Sequence, residues 1–215
     1  MYWGARGRAA LKAVLARPPR ERFLHFPQTA VQNLFHLDLP DGLFFVREDH
    51  GLLADRLRKA RQEKTVFKMQ GCLLLGQRGI GKTHFLLFLL MQCLSHEEMV
   101  LFTSSSGHTY LFDEHGIAKT REPKFDSCTH VPEDVPGPSQ RLWSLVDCSA
   151  AKEPIPTSLT GGTRQLFFVA AARPDVSRCG ELRGRFNVRE WWIPHWTEAE
   201  LRTLYVRCSI PMPVG

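Results

Sequence analysis

"GCLLLGQRGIGKTHFLLFLL", residues 71–90, sets a glycine-spaced loop between two apolar runs. The first run, "CLLL", is too short for a helix and is bounded by glycine, which predicts a buried strand. The second, "THFLLFLLMQCLSH", is long enough for a helix and apolar nearly all round, so it should pack deep in a core. Between them Gly76-Gln77-Arg78-Gly79-Ile80-Gly81-Lys82-Thr83 fits G-x-x-x-x-G-K-[ST] without a gap. Each fixed position has a physical reason. Glycines let the loop curl until successive backbone N–H groups point inward and form a nest for an anion. The helix that starts near Lys82 adds the positive end of its dipole. In such a loop Lys82 reaches the β- and γ-phosphates of a nucleotide, the Thr83 hydroxyl ligates Mg²⁺, and His84 continues the contact into the first turn. The bland alternative is a glycine turn joining two core elements.

A phosphate loop of this kind works with a carboxylate at the end of a neighbouring strand, which holds the Mg²⁺ shell. "LWSLVD" ends in Asp147, an acid at the C-terminal end of an apolar run, where ligands bind in open α/β sheets. An aspartate that merely opens a loop is the competing reading. Cys148 follows it, where many ATP hydrolases place a water-orienting glutamate; Glu133, Asp134 or Glu153 would have to substitute. The next strand, "LFFVAAARPD", offers only Ala170, Ala171 and Ala172 where a polar sensor is expected, so Arg173 is the nearest group able to stabilise transferred charge. Arg178, Arg183 and Arg185 are further arginine-finger candidates, against the ordinary role of a solvated surface arginine. The chain has no D-x-x-G after Asp147 and no N/T-K-x-D motif, which leaves ATP rather than GTP as the expected nucleotide.

At 215 residues, with 43% hydrophobic and 23% charged side chains, the chain matches an ordinary globular domain with decorations. Its longest apolar run, Phe85–Met91, is far below the roughly 18–20 residues that span a bilayer, so no membrane span is expected. The net charge of +6 is uneven, because residues 1–22 alone carry +5. "YWGARGRAALKAVLARPPRERF" is Arg-rich with a helix-compatible centre. It suits a solvated basic helix, a nucleic-acid-touching arm or a mitochondrial presequence, and it lacks the apolar core of a secretory signal. The six cysteines are dispersed, with no C-x-x-C pair, as in a reducing compartment; "CTH" at 128–130 has no second ligand pair for zinc. An intracellular address, cytoplasmic or nuclear, follows as the expectation.

Four segments are expected: a basic, irregular N-terminal extension (1–40), a strand and helix leading inward (41–68), the P-loop NTPase core (69–208) and a short tail (209–215). In 41–68, "GLFF" reads as a strand and Asp49 to Glu63 as a polar helix with Leu52, Leu53, Leu57 and Ala60 on one face. "MVLFTSS", "TYLFDEHGIAKT", "RLWSLVDCS", "RQLFFVAAA" and "REWWIPHW" are further strand or hairpin signals. Thr197 and Glu200 have capping-box spacing, which predicts a helix start. Strands that are short and wholly apolar, alternating with helices, predict an α/β fold whose mainly parallel sheet is sandwiched between helices.

The order of these pieces, "FFVREDHGLLADRL", "GCLLLGQRGIGKTHFLLFLLMQCL", "TYLFDEHGI", "LWSLVDCS", "QLFFVAAARPD" and "WWIPHWTEAEL", resembles the AAA/STAND-like P-loop NTPase domain of Crinkler-type and retrotransposon-hot-spot proteins over roughly residues 43–207. The resemblance implies nucleotide contacts from Gly76 to Thr83, an Mg²⁺-associated acid at Asp147, and a role for the aromatic-Pro-Trp segment before the last helix. Arg173-Pro174 stands where that family usually has Ser-Pro. The sequence stops soon after the last helix, before the lid or effector domain often attached there, so the expectation is either a shortened member or one whose partner domain lies on another chain. Three functions share the loop: an Mg²⁺-dependent ATPase, a nucleotide-gated interaction module that hydrolyses poorly and acts on a protein partner or by self-association, and a small-molecule kinase. A nucleic-acid-binding protein using the basic N-terminus is the fourth.

Overall fold

Four apolar strands are buried along their whole length: β3 (Gly71–Leu75), β4 (Val100–Thr103), β7 (Leu142–Asp147) and β8 (Leu166–Ala171). In the computed structural model, which describes residues 5–18, 21–25, 43–63, 69–113, 116–120, 141–148, 166–174 and 176–208, they form the centre of a seven-stranded sheet. β5 (Thr109–Asp113), β6 (Gly116–Thr120) and β9 (Val188–Trp192) complete it in the order β6-β5-β4-β7-β8-β3-β9. The pairings β4–β7, β7–β8, β8–β3 and β3–β9 are parallel, and the β5–β6 hairpin is added antiparallel to β4. The fold is therefore α/β with a mostly parallel sheet, as expected of strands apolar on both faces.

Alternation along the strands divides the core. Cys72 and Leu74, Trp143 and Leu145, and Phe167 and Val169 face three helices. These are α1 (Ala5–Leu15), α2 (Glu48–Gln62) and α3 (Lys82–Ser95). Leu73, Leu75, Val146, Phe168 and Ala170 face the other way, against Leu182 of α4 (Val176–Arg185). α3 is buried at ten of its residues and fills the middle of the larger layer, in line with its all-round apolarity.

The N-terminal segment carries the helix its sequence allowed, but that helix is docked rather than solvated. Residues 5–15 are helical, and Leu11 and Val14, one turn apart, are buried in the main core beside α3. β1 (Phe23–His25) pairs antiparallel with β2 (Leu43–Phe45) as a separate two-stranded sheet. The positive charge of this region obscured a three-residue apolar face, Leu11, Val14 and Leu15, sufficient to dock a short helix. The last helix, α5 (Glu198–Cys208), begins as predicted: Glu200 N–H donates to Thr197 Oγ1 at 3.2 Å and Thr197 N–H to Glu200 Oε2 at 2.8 Å.

Candidate functional site

The glycine loop leaves β3 at its C-terminal end and enters α3. Gly76 has φ 155°, and a Cβ there would stand 2.9 Å from Ile80 Cγ2, so the first tight bend excludes any side chain. Gly81, at φ 97° and ψ 19°, is the left-handed residue that turns the loop into the helix. No side chain caps α3 at this position, and its first turn holds no acid. The contrast with α2 and α5 is sharp, because both carry two acids in their first turn. Neither a side-chain cap nor an acid therefore meets the positive dipole end of α3 among the described residues.

Lys82 curls back over the loop. Its buried ammonium donates to Gly76 O at 2.6 Å and Gln77 O at 2.7 Å. Burial lowers its pKa; nearby Asp147 opposes that shift, and Arg173 adds to it. Thr83 donates its hydroxyl to Asp147 Oδ2 at 2.8 Å. These two residues lie 64 positions apart, on α3 and at the end of β7, and the intervening strand β8 separates β7 from β3. Asp147 is level with Ala171 in the parallel register. Ala170, Ala171 and Ala172 supply no polar sensor; Ala170 and Ala172 belong to the α4 side of the sheet, and Ala171, level with Asp147, is the small, buried side chain on the side of α3.

Of the residues expected at the site, Gly76 to Thr83, Asp147 and Arg173 gather at the C-terminal ends of β3, β7 and β8. Arg173 is exposed just beyond β8 and is close enough to lower the Lys82 pKa. The His84 ring turns from the loop and stacks on Phe44, with centroids 5.4 Å apart, and burial lowers its pKa. Arg183, a finger candidate, pairs with Glu190 on β9, and Arg185 is exposed at the end of α4. Glu133, Asp134, Glu153 and the 128–130 cysteine–histidine pair lie outside the described residues, as does the Arg178 side chain.

One group at the loop was not anticipated. Arg47, buried at the start of α2, donates to Ile80 O at 3.3 Å, Pro194 O at 3.0 Å and His195 O at 2.9 Å, and pairs with Glu200 Oε1 at 3.0 Å. Its guanidinium lies 4.6 Å from the ring centroid of Trp196, whose indole N–H donates to Gly79 O at 3.1 Å. The sequence showed the Thr197–Glu200 box, but a capping carboxylate that also neutralises a distant arginine leaves no local pattern.

Chemically, the site offers an uncapped helix start, a glycine bend, an ammonium, a hydroxyl and a carboxylate within one cluster. Among the described residues no group of three or more His, Cys, Asp or Glu side chains gathers, so a cation at Thr83 and Asp147 would need ligands from its anion and from water. No helix among the described residues is long and apolar enough to cross a membrane. No family model, curated protein or solved structure matches the chain.

Proposed function

We propose that this chain is an ATP-binding protein of the P-loop NTPase class, related to the Crinkler-type and retrotransposon-hot-spot NTPases, and that it hydrolyses ATP with Mg²⁺. The observation that carries the proposal is the 2.8 Å contact of Thr83 with Asp147, beside an uncapped helix start that already holds Lys82. A purely structural glycine turn requires none of these groups. Residues Gly76 to Thr83 would cradle the phosphates, with Lys82 exchanging the carbonyls of Gly76 and Gln77 for phosphate oxygens. Thr83 and Asp147 would hold Mg²⁺, directly and through water, and the ion's chemistry is to bridge phosphate oxygens and offset their charge. Arg173 would meet charge developing on the transferred group.

A second role, a nucleotide-gated interaction module with little turnover, is favoured by the buried Cys148 after Asp147 and by the apolar end of β8. ATP affinity and single-turnover hydrolysis with Mg²⁺ separate the two. Lys82→Ala is expected to lose binding, and Asp147→Asn to keep binding while losing Mg²⁺-dependent hydrolysis. Tight binding without turnover in the wild type would select the interaction module; no binding would refute both. An intracellular address belongs to the same proposal and is supported by three buried cysteines that form no disulfide among the described residues, Cys72, Cys93 and Cys148. For a nucleic-acid contact at the N-terminus, Lys12 and Arg17 remain exposed while Leu11 and Val14 dock.

A further inference from the structure

Two carbonyls of the loop are held from outside it by side chains remote in sequence: Gly79 O by Trp196, 117 residues away, and Ile80 O by Arg47, 33 residues away. A trans peptide unit points its C=O and the following N–H in opposite directions. Anchoring the Gly79 and Ile80 carbonyls outward therefore aims the N–H groups of Ile80 and Gly81 inward. The Ile80 N–H donates across the turn to Gln77 O at 3.4 Å, the carbonyl that also accepts from Lys82, so the outward set of the Gly79 carbonyl and the internal bond of the turn agree. If either peptide flipped, a carbonyl dipole would replace a donor in the space where an anion must sit.

We infer that Trp196 and Arg47 are positioning residues that keep the glycine loop in its anion-accepting form, so that the segment 193–200 is part of the phosphate-binding apparatus. This rests on the reading of the loop as a phosphate site. Several observations show that the brace is built rather than incidental. Arg47 is almost wholly buried, yet it spends its guanidinium on the carbonyls of Ile80, Pro194 and His195 and on both carboxylate oxygens of Glu200. Ile193 N–H donates to Leu75 O at 3.0 Å, which ties the same segment to the end of β3 immediately before the loop. Phe45 stacks on Trp196 at 6.2 Å and fixes the indole from its other neighbour. Loop, strand end and C-terminal segment thus form one hydrogen-bonded unit, and none of its anchors touches the side chains of Lys82, Thr83 or Asp147 in the contacts described.

Trp196→Phe is the clean test, because it removes the indole N–H and keeps an aromatic ring against Arg47 and Phe45. Arg47→Lys, which keeps charge but loses the planar fork, is the second variant. Amide hydrogen exchange of residues 78–82 is measured in the free proteins, and affinity is measured for Mg·ATP and for inorganic tripolyphosphate. In Trp196→Phe, faster exchange confined to the loop is expected, with affinity for both ligands lowered about two- to tenfold, the worth of one hydrogen bond. The melting temperature should stay near that of the wild type. An equal loss for tripolyphosphate and ATP locates the effect at the phosphates, which a general loss of stability would not do. Unchanged exchange and affinity in folded Trp196→Phe would overturn the inference while leaving the phosphate site standing. Wild-type protein that binds neither ligand would overturn the phosphate site and this inference together. Should Arg47→Lys fail to fold, the Trp196→Phe result alone decides.

Discussion

Both ends of the parallel sheet bury a fully engaged arginine, Arg141 at one and Arg47 at the other, but the C-terminal end adds a buried lysine that is held differently. At the N-terminal end, Arg141 just before β7 donates to the carbonyls of Ala60, Arg61 and Met69. Arg61 returns a bond to Arg141 O at 2.7 Å, pairs with Glu98, and lies 4.7 Å from the ring centroid of Trp143. Those donors are engaged by fixed groups of α2, the strand starts and their connections, so nothing at that end can exchange partners without loss. At the C-terminal end, among the described residues, Lys82 is held by two carbonyls of the loop it belongs to, and the helix start beneath it has no side-chain cap. Saturated buried charge locks a structure; exchangeable buried charge beside bare N–H groups is able to accept a ligand.

Breaking the locked end should give the largest effect on stability. Arg141→Leu leaves three carbonyls without their donor and is expected to cost about 3–5 kcal/mol in denaturant titration. ATP affinity of whatever fraction stays folded should be unchanged. The opposite pattern is expected at the other end. Lys82→Ala should weaken Mg·ATP binding by about 100-fold, the worth of two charge-assisted hydrogen bonds, while unfolding free energy moves by less than about 1 kcal/mol, because an ammonium that is costly to bury is removed with its bonds. If Lys82→Ala destabilised the fold as much as Arg141→Leu, the distinction between the two ends would collapse.

His50 sharpens the comparison from a third position. It is buried in α2 against Phe85 and Phe88, and neither ring nitrogen has a hydrogen-bond partner among the described residues. Burial holds its pKa well below 6.5, with Arg47 and His84 adding to the shift. The folded chain therefore keeps His50 neutral where the unfolded chain takes up a proton. Stability is present in full above the unfolded pKa and falls as pH drops below about 6.5, by up to about 1.4 kcal/mol per pH unit for this one group. His50→Leu is expected to flatten that acid limb and to gain about 1 kcal/mol at neutral pH, since it removes unpartnered buried polar atoms. Melting temperatures between pH 5 and 8 read both effects, and an unchanged acid slope would show that other groups set it.

Local pattern determined much of this molecule. The bounds of β3 and α3, the glycine bend, the β5–β6 hairpin and the Thr197–Glu200 cap could all be read from residues within a few positions of one another, because period, capping and turn chemistry act over that range. Asp147 was legible as an acid ending an apolar strand, and α1 as a helix. Its docking was not, since three apolar side chains among many basic ones carry no record of the surface they will meet. Tertiary structure alone decided that β8 lies between β7 and β3, and that the small Ala171 stands level with Asp147 where Thr83 reaches across. It alone brought Arg47 to Glu200, 153 residues away, and Trp196 to the carbonyl of Gly79. A hydrogen bond to a backbone carbonyl demands nothing of the accepting residue's identity. The groups that brace the loop therefore leave no signature in the sequence of the loop itself.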